Sequence, residues 1–362
     1  MSHLLDGLRV LDLSLWQPGH YATQLLADLG AEVIKVEPPG GDRMRPLVDR
    51  FVNFNGRKRS LVLDLKNDEH RAQLLELAAG AEVVVENYRP GVADRLGVGF
   101  DALCVVNPAI VLCSISGFGQ NGPLAGGTGH DMNFQAYAGA MTVVDGQPPM
   151  RAGLLVGDHG SGLAAAFAIL AAVLCARKTG EGEHIDVSIT DLLATWVAPM
   201  GSVDTRRQAE LPSHDRLPGM GPFVTADGRY VELGIFSEDH FWDALCDALG
   251  LNDHSGLTMA ERAADGPALR AAVAVAVMQW RRDELVAMLA AESVPVAPIL
   301  TRDEMLDHEH FRERGVVTTG PDGYRSVAHP IQYTVHPALP PGHPPELGEY
   351  NEVDGPRPMV ES

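Results

Sequence analysis

The chain has 362 residues, 45% hydrophobic and 21% charged, and carries a net charge of −20 at pH 7. That composition fits two soluble domains with real cores and argues against nucleic acid as a partner. No apolar run is read as long enough to span a bilayer, Met1-Ser2-His3-Leu4-Leu5-Asp6 lacks a signal-peptide build, and Cys104, Cys113, Cys175 and Cys246 form no CxxC pair or metal spacing. The expectation is a reduced, cytoplasmic protein with no metal, no membrane and no nucleic-acid partner.

Residues 8–13 read as a buried strand broken by Gln17-Pro18-Gly19, with a helix from His20 to Leu29 ended by Gly30. Glu32-Val33-Ile34-Lys35-Val36 is the next strand, closed by Pro38-Pro39-Gly40-Gly41. Strands at 61–65, 83–86 and 110–114 alternate with helices near 68–79 and 90–96. This alternation predicts an α/β domain with a parallel sheet, whose ligands bind at the carboxyl ends of the strands. The first 100 residues hold 12 Lys and Arg against 14 Asp and Glu, while the rest hold 16 against 34. A phosphate-bearing ligand is therefore held most easily by the first hundred.

The middle of the chain contains its most distinctive stretch. Gly129-His130-Asp131-Met132-Asn133-Phe134 opens a helical run to Gly139, and a turn-rich link passes through Asp145-Gly146-Gln147-Pro148-Pro149. Gly157-Asp158-His159-Gly160-Ser161-Gly162 opens a long helix ending near Arg177. His130 and Asp158 each sit beside glycine at a helix start, where free N–H groups and partial positive charge favour a carboxylate or a developing oxyanion. The glycines would let a substrate approach the backbone. A helix-capping Asp and a core histidine would give the same letters.

A strand at 184–189 leads into a helix at 191–199. Residues 201–220 loosen into a linker. A hairpin around Asp227-Gly228 pairs 221–226 with 229–233, and Ser237 caps a helix to Leu249. Two or three helices follow between Met259 and Leu289, then extended segments at 294–299 and 315–317. The Pro-rich tail after Val335 is expected to lie over a surface. GxGxxG after the first strand, GxSxG, the P-loop and HExxH are all absent, which disfavours nicotinamide dehydrogenases, α/β serine hydrolases, P-loop enzymes and zincins.

Several ordered motifs resemble the class III CoA-transferase family. They run from Leu25-Leu26-Ala27-Asp28-Leu29-Gly30-Ala31-Glu32-Val33-Ile34-Lys35-Val36-Glu37-Pro38 through Asn55-Gly56-Arg57-Lys58-Arg59-Ser60 and Leu63-Asp64-Leu65-Lys66. Val85-Glu86-Asn87-Tyr88-Arg89-Pro90-Gly91, Arg95-Leu96-Gly97 and Lys178-Thr179-Gly180-Glu181-Gly182 complete the set. The resemblance implies a large Rossmann-like CoA-binding domain at residues 1–200 and a linker at 201–220. A small α+β domain follows at 221–318, and a segment at 319–362 returns to the large domain. It also implies an interlocked homodimer. Its ligand is a coenzyme A thioester as substrate, with no prosthetic group. Lys66, Arg89, Arg95, Arg43 and Leu65 are the implied CoA contacts, with Arg57, Lys58 and Arg59 as further candidates. Pro38-Pro39 replaces a basic residue that some transferases carry near the adenine.

Two chemistries occur in this family. In its transferases an aspartate matching Asp158 forms a mixed anhydride with the acyl group. In its racemase branch that aspartate and a histidine in Gly-His-Asp-x-Asn flank the α-carbon as two acid/base groups, with an enolate oxygen met by N–H donors such as Gly160. Gly129-His130-Asp131-Met132-Asn133 matches the racemase motif, with Phe134 in place of its usual Tyr. Gln17 matches a transferase position. Glu238 matches a small-domain glutamate that supports the histidine. The balance of these residues favours a 2-methylacyl-CoA racemase over a CoA-transferase.

Overall fold

The structure, a computed structural model, describes residues 3–141, 148–150, 153–200, 217–320 and 323–352. The chain divides into two compact units, residues 1–203 with 312–362, and residues 204–311. The return to the first unit thus falls at 312, ahead of the expected 319. Most of the linker at 201–220 and of the turn-rich link at 145–149 lies outside the described residues.

The first unit alternates strand and helix. Its elements are β1 (Arg9–Asp12), α1 (Gln17–Asp28), β2 (Glu32–Glu37), α2 (Val48–Asn55), β3 (Arg59–Val62), α3 (Asp68–Ala79), β4 (Val83–Glu86), α4 (Val92–Arg95), α5 (Phe100–Val106), β5 (Val111–Ser116), α6 (Asp131–Tyr137), α7 (Val156–Thr179), β6 (Glu183–Ser188) and α8 (Ile189–Val197). The six strands form a parallel sheet in the order β3-β2-β1-β4-β5-β6. The chain therefore reverses its direction of travel between β1 and β4, and a crevice opens there at the strand carboxyl ends.

Both sheet faces are covered, which is why the inner strands read as continuous apolar runs. Val10, Val33, Val83, Val85 and Cys113 pack toward α1 and α7, while Leu11, Ile34, Val84 and Leu112 pack toward α3 and α5. Burying one leucine or valine side chain in such a core stabilises by about 1.5–3 kcal/mol before chain entropy is counted.

Several local readings shift. α1 begins at Gln17, ahead of His20, because Pro18 fits a first helical turn, where its missing N–H costs nothing. α2 and α5 were not read from the sequence. The helix expected from Pro90 is one turn, Val92–Arg95, entered through Gly91 at φ 74. α7 corrects the reading that no apolar run could span a bilayer. It is long and apolar enough by length and composition, yet its Gly, Ala and Ile face packs against α1 and the sheet.

In the second unit, β7 (Met220–Val224), β8 (Tyr230–Gly234) and β9 (Val296–Pro298) form an antiparallel sheet. Gly228 makes the hairpin turn at φ 71. Phe223, Val231, Leu233, Trp242, Leu245, Val273, Leu285 and Leu289 form its separate core. The last described segment lies on the first unit. Leu339 N–H donates to the Asp28 carbonyl at 2.7 Å, and Arg57 N–H donates to the His343 carbonyl at 3.0 Å.

Candidate active site

A cleft of about 930 Å³ lies at the reversal point of the sheet. The loops after β1, β4 and β5 build its floor, supplying Leu15, Trp16 and Gln17, then Asn87, Tyr88 and Arg89, then Ser116 and Gly117. Asn87 Oδ1 accepts the Leu15 N–H at 2.9 Å and ties the first two loops together. Gly19 lets α1 start tight against the β1 loop, because a Cβ there would lie 2.2 Å from Ser14 Cβ. Gly117 lets α6 close the far wall, because a Cβ would meet the Phe134 ring at 2.2 Å. Phe134, at the position of the motif's usual Tyr, is buried and packs edge-on against Phe118.

His130 and Asp158 both line this cleft. His130 is the residue before α6, in extended backbone, and its N–H donates to Asn133 Oδ1 at 3.0 Å. Its exposed imidazole stands edge-on to Trp16, with ring centroids 6.5 Å apart. Asp158 lies in the first turn of α7, half-buried. Its N–H donates to Asp131 Oδ1 at 2.8 Å, and Gln135 Nε2 donates to the other Asp131 oxygen. Burial, then the neighbouring Asp131 charge, push the Asp158 carboxyl up to about 7, with Arg50 opposing. At neutral pH this group exchanges a proton readily in either direction.

The glycines around Asp158 serve packing, which corrects the expectation that they admit substrate to the backbone. A Cβ on Gly157 would lie 2.8 Å from Asp131 Oδ1, one on Gly160 2.4 Å from the Trp196 ring, and one on Gly162 2.7 Å from the Pro18 carbonyl. Gly160 also lies one turn inside α7, where helix geometry directs its N–H at the carbonyl four residues back. It is therefore not an oxyanion donor.

The cations divide. Arg43 and Arg89 line the cleft, as does Arg50 of α2, which was not singled out from the sequence. Lys66, Arg95 and Leu65 are not in its wall. Lys66 is exposed past β3, Leu65 is a core residue, and Arg95 is exposed at the end of α4. The run Arg57-Lys58-Arg59 is engaged within the fold. Arg57 Nε donates to the Pro340 carbonyl, Lys58 is buried against Asp12, and Arg59 pairs with Glu32. Glu238 belongs to the second unit. It occupies the position before the helix Asp239–Leu249, which was expected for Ser237, and its Oε2 accepts the Phe236 N–H at 3.1 Å.

A buried polar cluster supports the loops from behind. Lys58 Nζ reaches Asp12 Oδ2 at 3.0 Å, Thr23 Oγ1 at 2.8 Å and Asn55 Oδ1 at 2.9 Å. Lys35 Nζ reaches the Ser14 carbonyl at 3.0 Å and Asp42 at 2.9 Å. Burial alone would raise the Asp12 carboxyl, yet Lys58, Lys35 and His20 hold it well below the usual carboxylate range. No local pattern marks this cluster, because its members are far apart in the chain.

A doubly wound sheet with an imidazole, a poised carboxyl and three arginines in the wall of its crevice, none of them ion-paired among the described residues, suits a small anionic ligand. The chain belongs to the CoA-transferase family III, which its sequence matches over residues 5–351. The family is enzymatic and contains both CoA-transferases and a racemase. The chain is 33% identical to succinate–glutarate CoA-transferase of Agrobacterium fabrum over 86% of its own length and 84% of that protein. It is 31% identical to human alpha-methylacyl-CoA racemase over 96% of its length and 91% of that protein. A CaiB/BaiF family protein from Brucella suis superimposes with a TM-score of 0.86 at 30% identity, covering 97% of this chain and 98% of that one.

Proposed function

We propose that the protein is an acyl-CoA racemase that inverts the α-carbon of a 2-methylacyl-CoA thioester. The observation that carries this reading is the pairing in one cleft of His130 with a carboxyl held near neutrality, Asp158. One group removes the α-proton and the electron pair moves onto the thioester oxygen as an enolate. The other group returns a proton to the opposite face as the carbonyl reforms. An imidazole is suited to general acid–base work, and the Asp158 carboxyl, pushed up to about 7, can take or give the proton as well. The reaction so written uses no prosthetic group or metal.

Arg43 and Arg89 are assigned to the CoA phosphates, since both line the cleft that holds Asp158. Lys66, Leu65 and Arg95 are assigned to the outer part of the nucleotide. Assembly as an interlocked homodimer is part of this reading. It is supported by apolar side chains that the single chain leaves exposed on α7, among them Phe167 and Leu174.

A second reading is a CoA-transferase in which ionised Asp158 attacks the thioester and holds the acyl group as a mixed anhydride. Gln17 in the cleft wall and the transferase names among the relatives favour it. The test is incubation of a 2-methylacyl-CoA in deuterated water. The racemase incorporates deuterium at the α-carbon, and His130→Ala abolishes inversion while CoA affinity stays within about twofold. A wild-type enzyme that leaves the α-position unlabelled and moves CoA to a free carboxylic acid instead overturns the racemase reading.

A further inference from the structure

The cleft wall is assembled from separate loops, and something must fix their spacing. Trp16 and Gln17 follow β1, whereas Arg43 comes from the loop after β2. Behind both stands Lys35, on β2 and fully buried. Its Nζ lies 3.0 Å from the Ser14 carbonyl, 2.9 Å from Asp42 Oδ2 and 2.7 Å from His20 Nε2. A lysine ammonium has three N–H donors, and here each has its own acceptor. Burial, then the Lys35 charge, bring His20 down to about 4, so its imidazole is neutral at pH 7 and Nε2 can accept. The three acceptors belong to the β1 loop, the β2 loop and the first turn of α1.

Asp42 carries this tie to the cleft. Its N–H donates to Glu37 Oε2 at 2.8 Å, and its Oδ1 accepts the Met44 N–H at 2.7 Å. Arg43 is the residue between, so its backbone is held on both sides through Asp42 while its side chain lines the cleft. Lys58, the other lysine of the cluster, differs. Its partners Asp12, Thr23, Asn55 and the His20 carbonyl are not in the cleft wall. Two buried ions cost solvation that their attraction barely offsets. Net stability is therefore a weak reason for the Lys35–Asp42 pair, and the geometry it fixes is the stronger one.

We propose that Lys35 and Asp42 are positioning residues for coenzyme A binding, whose ion pair sets the spacing of Arg43 from the β1 loop before the ligand arrives. Neither is in the cleft wall, so both act through Arg43. A site held ready in this way spends less of its binding energy on ordering. The proposal rests on the reading that Arg43 meets a CoA phosphate.

The test is a mutant cycle read by calorimetry with free CoA on the full-length protein. Lys35→Met alone strands the Asp42 carboxylate and should lower Tm, and adding Asp42→Asn should recover part of that loss. The double variant is still expected to bind CoA about tenfold more weakly than wild type, because no bond then joins the two loops. Its KM for acyl-CoA should rise in step, with kcat within about threefold. Arg43→Ala should weaken CoA binding about tenfold in wild type but less than about threefold in the double variant, where Arg43 is already out of place. Equal losses in the two backgrounds overturn the proposal and leave the CoA reading standing. CoA affinity that returns to the wild-type value in the double variant also overturns it, since the pair is then structural only. A kcat that falls tenfold while KM holds does the same. Arg43→Ala that costs nothing in wild type removes Arg43 from the phosphates and this proposal with it. Wild type that binds no CoA overturns the acyl-CoA reading as well.

Discussion

The Asp131 carboxylate accepts the backbone N–H of Asp158 at 2.8 Å, so one acid fixes the position of another. The contact joins the first turn of α6 to the first turn of α7. It places a buried negative charge beside that carboxyl, and burial together with this charge pushes the Asp158 carboxyl up to about 7. Asp131 thereby sets both where Asp158 stands and how firmly it holds its proton.

Asp131→Asn keeps an oxygen acceptor at that position and removes the charge. The Asp158 pKa should fall, because one of the two influences raising it is gone. The limb of the kcat/KM pH profile that reports Asp158 should move to lower pH by about one unit or less, with KM for acyl-CoA little changed. An unshifted limb would show that the Asp131 charge does not reach the catalytic carboxyl.

Asp158→Asn should separate stability from activity. The folded carboxyl titrates near 7 against an ordinary value of 3.8, so between those values the folded state holds a proton that the unfolded chain has lost. The stability contributed by this group is complete below about pH 4 and is lost as pH rises through 7. The Asn variant has no such loss. It should gain about 2 kcal/mol on wild type between pH 4 and pH 8 while losing activity. Urea unfolding at the two pH values measures the difference.

Arg89→Ala should weaken free CoA and acyl-CoA alike, by on the order of 1.5–3 kcal/mol, the loss of a charge-assisted contact. Arg95→Ala should have a smaller effect, since Arg95 is exposed and not in the cleft wall. Calorimetry on the two variants ranks them, and a larger loss for Arg95 would move the nucleotide outward.

Lys58→Met should destabilise the fold by about 3–5 kcal/mol, because it leaves the fully buried Asp12 carboxylate without its partner. Asp12→Asn together with Lys58→Met should recover part of the loss. Asp12 also ties this pair to pH. Its folded pKa lies below the unfolded one, so its stabilising contribution is present above the unfolded pKa and is lost as pH falls. Thermal unfolding of wild type, the single variant and the double variant checks the coupling.

Light scattering at low micromolar concentration tests the assembly. The interlocked homodimer predicts twice the chain mass, 38.8 kDa, with no monomer on dilution, since an interface of that kind is large and obligate.

The sequence alone determined the first five strands of the sheet and the helices after the first and third of them, because buried parallel strands must be apolar on both faces and their helices must be punctuated by Gly and Pro; α2 and α5 escaped it. It also marked His130 and Asp158, since a histidine and an acid flanked by glycine at helix starts are conspicuous as letters. Strand order lay beyond it. Val10, Val83 and Val111 read alike, and only packing decides that β1 sits between β2 and β4, which is what opens the cleft. The roles of Gly157, Gly160 and Gly162 were misread for a related reason. A glycine records that space is tight or the backbone unusual without recording what fills the space, and here Asp131, Trp196 and Pro18 fill it. Arg50, Asp131 and the Asp12–Lys58 pair carry no local pattern. Their significance comes from distances and burial across the chain, and charge interactions depend on those two quantities, which only the tertiary structure sets.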